Sequence, residues 1–302
     1  MSLKRLKKLT QHLKVRLKQR HALTSKIICA ETINQSSMKN QKHTTILDGP
    51  LLDKVKINST LINNSTDYPF SLPIIKQLPE ITFPTQVSFF VGENGTGKST
   101  ILEAIALKAG FGPEGGSKNI AFKTSLENTY EGTALLAQAL ILSWRKKPHD
   151  GYFFRAESFF NIANYLDTMA QDDGRAYDSY GGKSLHKQSH GESFLSFFKN
   201  RMGNGGFFIL DEPEAALSPQ RQLSLMVIIN DMCKNSDAQF IIATHSPILL
   251  AYPEATIYSC DAEMLAAIQY TDTNHYQITK QFLDNPKYYM HHLFKDCPSL
   301  ED

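Results

Sequence analysis

Eight consecutive residues, Gly92-Glu93-Asn94-Gly95-Thr96-Gly97-Lys98-Ser99, have the types and spacing needed to hold a chain of phosphates. They match G-x-x-x-x-G-K-[ST]. The glycines let backbone N–H groups turn inward around phosphate oxygens. Lys98 supplies a cation for the β- and γ-phosphates, and the Ser99 hydroxyl can ligate Mg²⁺. Thr100 extends this candidate nucleotide-binding set into the next element. Two further places suit the chemistry of phosphate cleavage. Asp211-Glu212 ends the apolar run Phe207-Phe208-Ile209-Leu210. Asp211 suits a role holding Mg²⁺, and Glu212 suits a general base that polarises an attacking water. His245 directly follows the apolar run FIIAT, where it could touch a γ-phosphate or orient the water. Plainer uses exist for each: a glycine turn with a surface lysine, two solvated capping acids, a structural histidine. The phosphate loop in its proper context makes these weak.

That context is a strand before the loop and a helix after it. VSFFV reads as a buried strand, and TILEAIAL as a helix ending near Gly110, with Gly112 and Pro113 preventing continuation. GYFFRAE, FFILDEP, AQFIIATHS and ATIYSC read as further strands, the apolar runs among them buried on both faces. Helices are expected near Ala134–Trp144, over Phe159–Ala170, Phe194–Met202 and Arg221–Cys233. A Gly- and Asp-rich loop runs through Gly182. Ile74, Ile75, Ile81 and Phe83 suggest short early strands. Apolar strands alternating with helices predict an α/β fold with a mainly parallel central sheet.

The 302 residues allow one large domain with appendages. A hydrophobic content of 41% is ordinary for a globular chain. The sequence has no apolar run of transmembrane length and no secretory h-region, and its four cysteines have no paired spacing. A cytoplasmic protein with reduced thiols and no integral membrane segment is expected. The net charge of +2 conceals an asymmetry. Residues 1–21 carry eight Lys or Arg and no acid, leaving 24 basic and 30 acidic groups elsewhere. Leu3, Leu6, Leu9, Leu13 and Leu17 share a helical face there, with lysines and arginines around the rest. Residues 1–30 are therefore expected to form a basic amphipathic helix. It could dock on protein, bind DNA or RNA phosphate, or lie on anionic lipid. Residues 32–66 hold sixteen Ser, Thr, Asn or Gln, so 31–68 reads as a polar linker or loosely ordered segment. The catalytic domain is then 69–302, with a helical subdomain at about 113–200.

In combination these motifs resemble the ABC-type ATPases over roughly residues 70–260. The order matches: Walker A at Gly92–Ser99, a helical subdomain, a signature loop, Walker B at Asp211-Glu212, a D-loop at Ala215-Ala216-Leu217-Ser218, and a switch histidine, His245. The resemblance explains HKQSHGESF, His186–Phe194. Gln188-Ser189-His190-Gly191-Glu192 looks like a divergent form of the signature Leu-Ser-Gly-Gly-Gln. It implies that Ser189, Gly191 and Glu192 close on the γ-phosphate held by a second copy, in an ATP-bound homodimer. A helix N-terminus suits that contact, and an ordinary capping box would use Ser189 and Glu192 equally well. Glu157 lies where the family carries its Q-loop glutamine, and the resemblance assigns it to the metal beside Ser99 and Asp211. ATP and Mg²⁺ are the implied cofactors.

Only 90 positions separate Ser99 from Ser189, too few for the long coiled coil of SMC-like ATPases. GYFFRAESFF, SHGESF and LDEPEAALSP look most like compact bacterial ATPases grouped as "AAA family ATPases". These are similar to the ATPase modules of overcoming-lysogenization-defect nucleases and phage-defence systems. The expected function is an ATP-driven switch acting on a separate effector or on nucleic acid, in phage defence or DNA repair. The alternative is the nucleotide-binding subunit of an ABC transporter. A small-molecule phosphotransferase fits less well, because a signature loop and a switch histidine serve no acceptor site.

Overall fold

A computed structural model describes residues 49–62, 66–117, 131–156, 167–168, 190–201 and 205–294. The basic segment 1–30, Glu157, Ser189 and most of the expected helix Phe159–Ala170 lie outside the described residues.

The chain first forms strand β1 (Leu52–Ile57), the short helix α1 (Pro73–Lys76) and strand β2 (Ile81–Thr82). Strand β3 (Val87–Val91) leads into helix α2 (Lys98–Ala109). Helix α3 (Glu131–Ala139) runs directly into β4 (Leu140–Trp144), followed by β5 (Gly151–Arg155). Helix α4 (His190–Arg201) precedes β6 (Gly206–Asp211), α5 (Pro219–Asn235) and β7 (Ala238–Ala243). Then come α6 (Pro247–Leu250), β8 (Thr256–Ser259), β9 (Ala266–Ile268), α7 (Asn274–Asp284) and α8 (Pro286–Leu293).

The strands make two sheets. One has six strands in the order β5-β6-β7-β3-β8-β9, parallel except for the β8–β9 pair. Every residue of β3, β6 and β7 is buried, as continuous apolar runs require when both sheet faces are covered. The other sheet is antiparallel, in the order β2-β1-β4. Buried Gln239 of β7 links the two, accepting from Leu52 N–H at 2.6 Å and donating to Leu52 O at 3.1 Å. Helix α4 docks through Phe194, Phe197 and Phe198, which share one face at i, i+3 and i+4. Phe194 meets Phe154 of β5 edge-on at 4.6 Å between centroids, and Phe197 meets Tyr152 at 4.8 Å.

Three expectations are corrected. The run from Ala134 to Trp144 is helical only to Ala139. LILSW pairs with β1, and an unbroken apolar run fits helix and strand alike until pairing decides. Within the expected linker 31–68, Leu52–Ile57 is a strand with Leu52 and Val55 buried; the polar residues around it masked its pattern. Ile74 and Ile75 are buried in α1, where Pro73 at the first position starts a helix.

Candidate functional site

The parallel register carries four chemically useful segments to one edge of the six-stranded sheet. Arg155 pairs with Asp211, Asp211 with Ala243, Phe90 with Ala243, and Val91 with Ser259. The chain leaves these tips into the glycine loop, Glu212, His245 and Asp261. The carboxyl ends of parallel strands are where open α/β sheets bind ligands.

The loop is built from backbone. Gly92, Gly95 and Gly97 have φ of 147°, 81° and 97°. A Cβ on Gly97 would sit 2.9 Å from Ile74 Cγ2, so α1 closes against the loop where no side chain fits. Glu93 N–H donates to Asp261 Oδ1 at 2.8 Å, and Thr96 Oγ1 donates to Glu93 O at 2.9 Å. Gly97 caps α2 in the left-handed region, so the helix N-terminus opens directly onto the loop. Lys98 is buried and donates to Gly92 O at 2.7 Å and Glu93 O at 2.9 Å. Burial pulls its pKa below the usual lysine range; Cys260, Glu212, Asp211 and Asp261 oppose this. A cavity of about 190 Å³ lies here, lined by Asn94, Lys98, Ser99, Thr100, Tyr68 and Glu212 among others. Tyr68 hydroxyl and Thr100 Oγ1 are 3.0 Å apart.

Ser99 Oγ donates to Asp211 Oδ1 at 3.1 Å. Asp211 is buried, and Arg155 Nε stands 4.0 Å from its other oxygen. Arg155 Nη1 also lies 3.6 Å from Glu103 of α2. A hydroxyl and a carboxylate side by side at the mouth of a phosphate loop are the hard oxygen donors that suit Mg²⁺ shared with substrate phosphates. The residues present therefore fit Mg²⁺–ATP.

Glu212 has φ 51° and ψ 52°, left-handed backbone at a non-glycine residue. Such a conformation costs about 1–2 kcal/mol and clusters where strain serves function. Its N–H donates to Ala243 O at 3.0 Å, and Pro213 follows at once. The result aims a half-exposed carboxylate across the sheet edge. Glu212 Oε1 lies 3.5 Å from His245 Nε2. Glu214 Oε1 accepts from His245 N–H at 2.6 Å. Burial raises the Glu214 pKa despite that bond. Burial, then Lys98 and His275, lower the His245 pKa; Glu212 and Glu93 act against them. The neutral form of the imidazole is thereby favoured.

The structure thus gathers Gly92–Thr100, Asp211, Glu212 and His245 at one edge. Gly191 and Glu192 fall in the first turn of α4. Four contributors were missed in the sequence. Asp261 follows a strand tip, as Asp211 does, and the same rule could have found it. Arg155 likewise ends β5. Tyr68 and His275 carry no local signal.

A family model described as "AAA domain, putative AbiEii toxin, Type IV TA system" matches residues 193–251, and one described as "AAA domain" matches 70–136. A comparison with curated proteins finds no match. Among solved structures, the SMC head domain from Thermotoga maritima is 17% identical, covering 72% of this chain and 98% of its own, with a TM-score of 0.38. The cbiO1 protein of Clostridium perfringens, part of the ABC transporter complex cbiONQ, is 18% identical, covering 72% and 90%, with a TM-score of 0.40. A nucleotide-free ATP-binding cassette from an ABC transporter is 14% identical, covering 69% and 88%, also at 0.40. No helix among the described residues is long and apolar enough to cross a membrane. Two stretches match AAA-domain models, and a mainly parallel sheet with a glycine loop at the carboxyl ends of its strands gives the chain an α/β P-loop NTPase fold.

Proposed function

We propose that the chain binds Mg²⁺–ATP and hydrolyses it as an ABC-type molecular switch. The observation that carries this is the convergence of Ser99 and Asp211, 3.1 Å apart, with the left-handed Glu212 beside the glycine loop. The loop N–H groups and Lys98 hold the phosphates. Ser99 and Asp211 would hold Mg²⁺, which when bound supplies positive charge to the β- and γ-oxygens. Glu212 accepts the proton of the attacking water, and His245 holds the γ-phosphate end of the site through Nε2.

The start of α4 at His190 supports the signature reading. Gly191 in the first turn offers bare backbone at a helix N-terminus, where an anion is favoured. On this reading Ser189, Gly191 and Glu192 of one copy close on ATP held by the other. Hydrolysis then releases the pair and signals to a separate effector or a nucleic-acid transaction. The toxin-system description of the family matched at 193–251 favours a defence setting. The basic segment 1–30 is the candidate contact for DNA or RNA.

Light scattering tests the dimer. Glu212→Gln with ATP and Mg²⁺ is expected to accumulate as a dimer. Adding Gly191→Arg should return it to monomer while ATP binding survives, because Lys98 and its loop belong to the other half-site. A Glu212→Gln protein that stays monomeric, or a dimer that tolerates Gly191→Arg, leaves His190–Glu192 as no more than the first turn of α4.

A further inference from the structure

We propose that His275 is a positioning residue: its Nε2–H donates to His245 Nδ1 and so fixes the His245 tautomer whose Nε2–H faces Glu212 and the γ-phosphate. This rests on the ATPase reading above. His245 Nδ1 and His275 Nε2 are 2.8 Å apart, with ring centroids at 5.0 Å. Only one proton fits in that gap, so one ring donates and the other accepts.

The surroundings choose the direction. If His245 donated from Nδ1, its Nε2 would be a bare lone pair 3.5 Å from Glu212 Oε1. A carboxylate oxygen accepts, so two acceptors would face each other. With the proton on His275 Nε2, His245 carries its own proton on Nε2 and points an N–H at the carboxylate. That N–H is buried and forms no hydrogen bond within the described residues, which leaves it for a substrate oxygen. The same choice leaves His275 Nδ1 as the bare nitrogen. This atom is also buried with no hydrogen-bond partner among the described residues. The reverse choice would put an N–H on that atom with no acceptor near it among those residues, whereas the His245 N–H at least faces the Glu212 carboxylate at 3.5 Å. Burial keeps His245 neutral, as the arrangement needs.

His275 is held in place from several sides. Thr273 caps α7, accepting from Tyr276 N–H at 3.3 Å and donating from Oγ1 to Tyr270 O at 2.8 Å. Tyr270 hydroxyl donates to Pro247 O at 3.0 Å, two residues beyond His245. On the other side Asn274 donates to Asp261 Oδ2 at 3.4 Å, and Asp261 also accepts from Glu93 of the phosphate loop. The first turn of α7 therefore contacts His245 directly and the phosphate loop through Asp261, so α7 reaches the catalytic edge through two adjacent residues.

The test uses the full chain with His275→Phe and His275→Gln. Phenylalanine keeps the ring volume and removes the N–H; glutamine can still donate. Nitrogen-15 imidazole spectra, with His245 assigned by His245→Gln, should show wild-type His245 protonated on Nε2 with Nδ1 accepting. His275→Phe should lose that preference and His275→Gln should keep it. Turnover in His275→Phe should fall about 10–100-fold, the range for losing a group that orients a functional imidazole, with KM for ATP unchanged. His275→Gln should restore most of it. Wild-type His245 protonated on Nδ1, or a tautomer indifferent to His275→Phe, overturns the proposal, and so does a parallel loss in kcat and KM. The wild-type and His275→Gln spectra decide the matter even if His275→Phe does not fold. A wild type without ATP hydrolysis would instead sink the ATPase reading, because the spectra read the tautomer without turnover.

Discussion

The phosphate side and the histidine side of the sheet edge are built in opposite ways. The phosphate side is mostly one continuous segment, Gly92–Thr100, and on the proposed reading its ligand groups would be backbone N–H, Lys98 and the Ser99 hydroxyl. The histidine side joins Glu212, Glu214, His245 and His275 through side chains and one backbone N–H. The first can hold charge with few tertiary contacts. The second depends on β6, β7 and α7 arriving together. Binding should therefore be robust to damage on the histidine side, and hydrolysis should not.

Lys98→Ala should break the phosphate side most severely. A hydrogen bond to a charged group is worth about 1.5–3 kcal/mol, so ATP affinity should fall roughly 10- to 150-fold by calorimetry. Wild-type affinity would show that the loop holds no phosphate. Glu214→Ala tests the other half of the comparison. It leaves the part-buried His245 N–H without its acceptor, at a cost of about 1–3 kcal/mol in stability by denaturant titration. Turnover should drop while ATP affinity holds. Equal losses in both would mean that the two sides are not separable.

A smaller effect follows from acidity. The His245 pKa is held below its ordinary 6.5, so the neutral ring contributes stability that is present above that value and lost as pH falls through the folded one. The raised Glu214 pKa works the other way, favouring the fold as pH falls, but it is present with or without the imidazole. Melting temperature from about pH 8 down to about pH 5 should therefore decline less in His245→Gln than in wild type. Matching slopes would remove burial of His245 as a source of pH dependence.

The same contrast governs what the sequence discloses. Gly92–Ser99, Asp211-Glu212 and His245 are legible because each is a short pattern at the end of an apolar run, and parallel strands bring such ends together. His275 meets His245 across 30 positions and Asp261 meets Glu93 across 168, with no pattern to announce either. β1 was hidden by polar neighbours, and β4 by an apolar run that suits either period. Tertiary pairing settled both.

The most direct measurement compares ATP binding and ATP hydrolysis in Glu212→Gln. The substitution keeps the shape of the side chain and removes its basicity. The account predicts that ATP affinity is retained while the hydrolytic rate falls about 10²–10⁴-fold, as expected for a lost general base. Hydrolysis near the wild-type rate would contradict it, because the left-handed carboxylate at the tip of β6 would then not be the base.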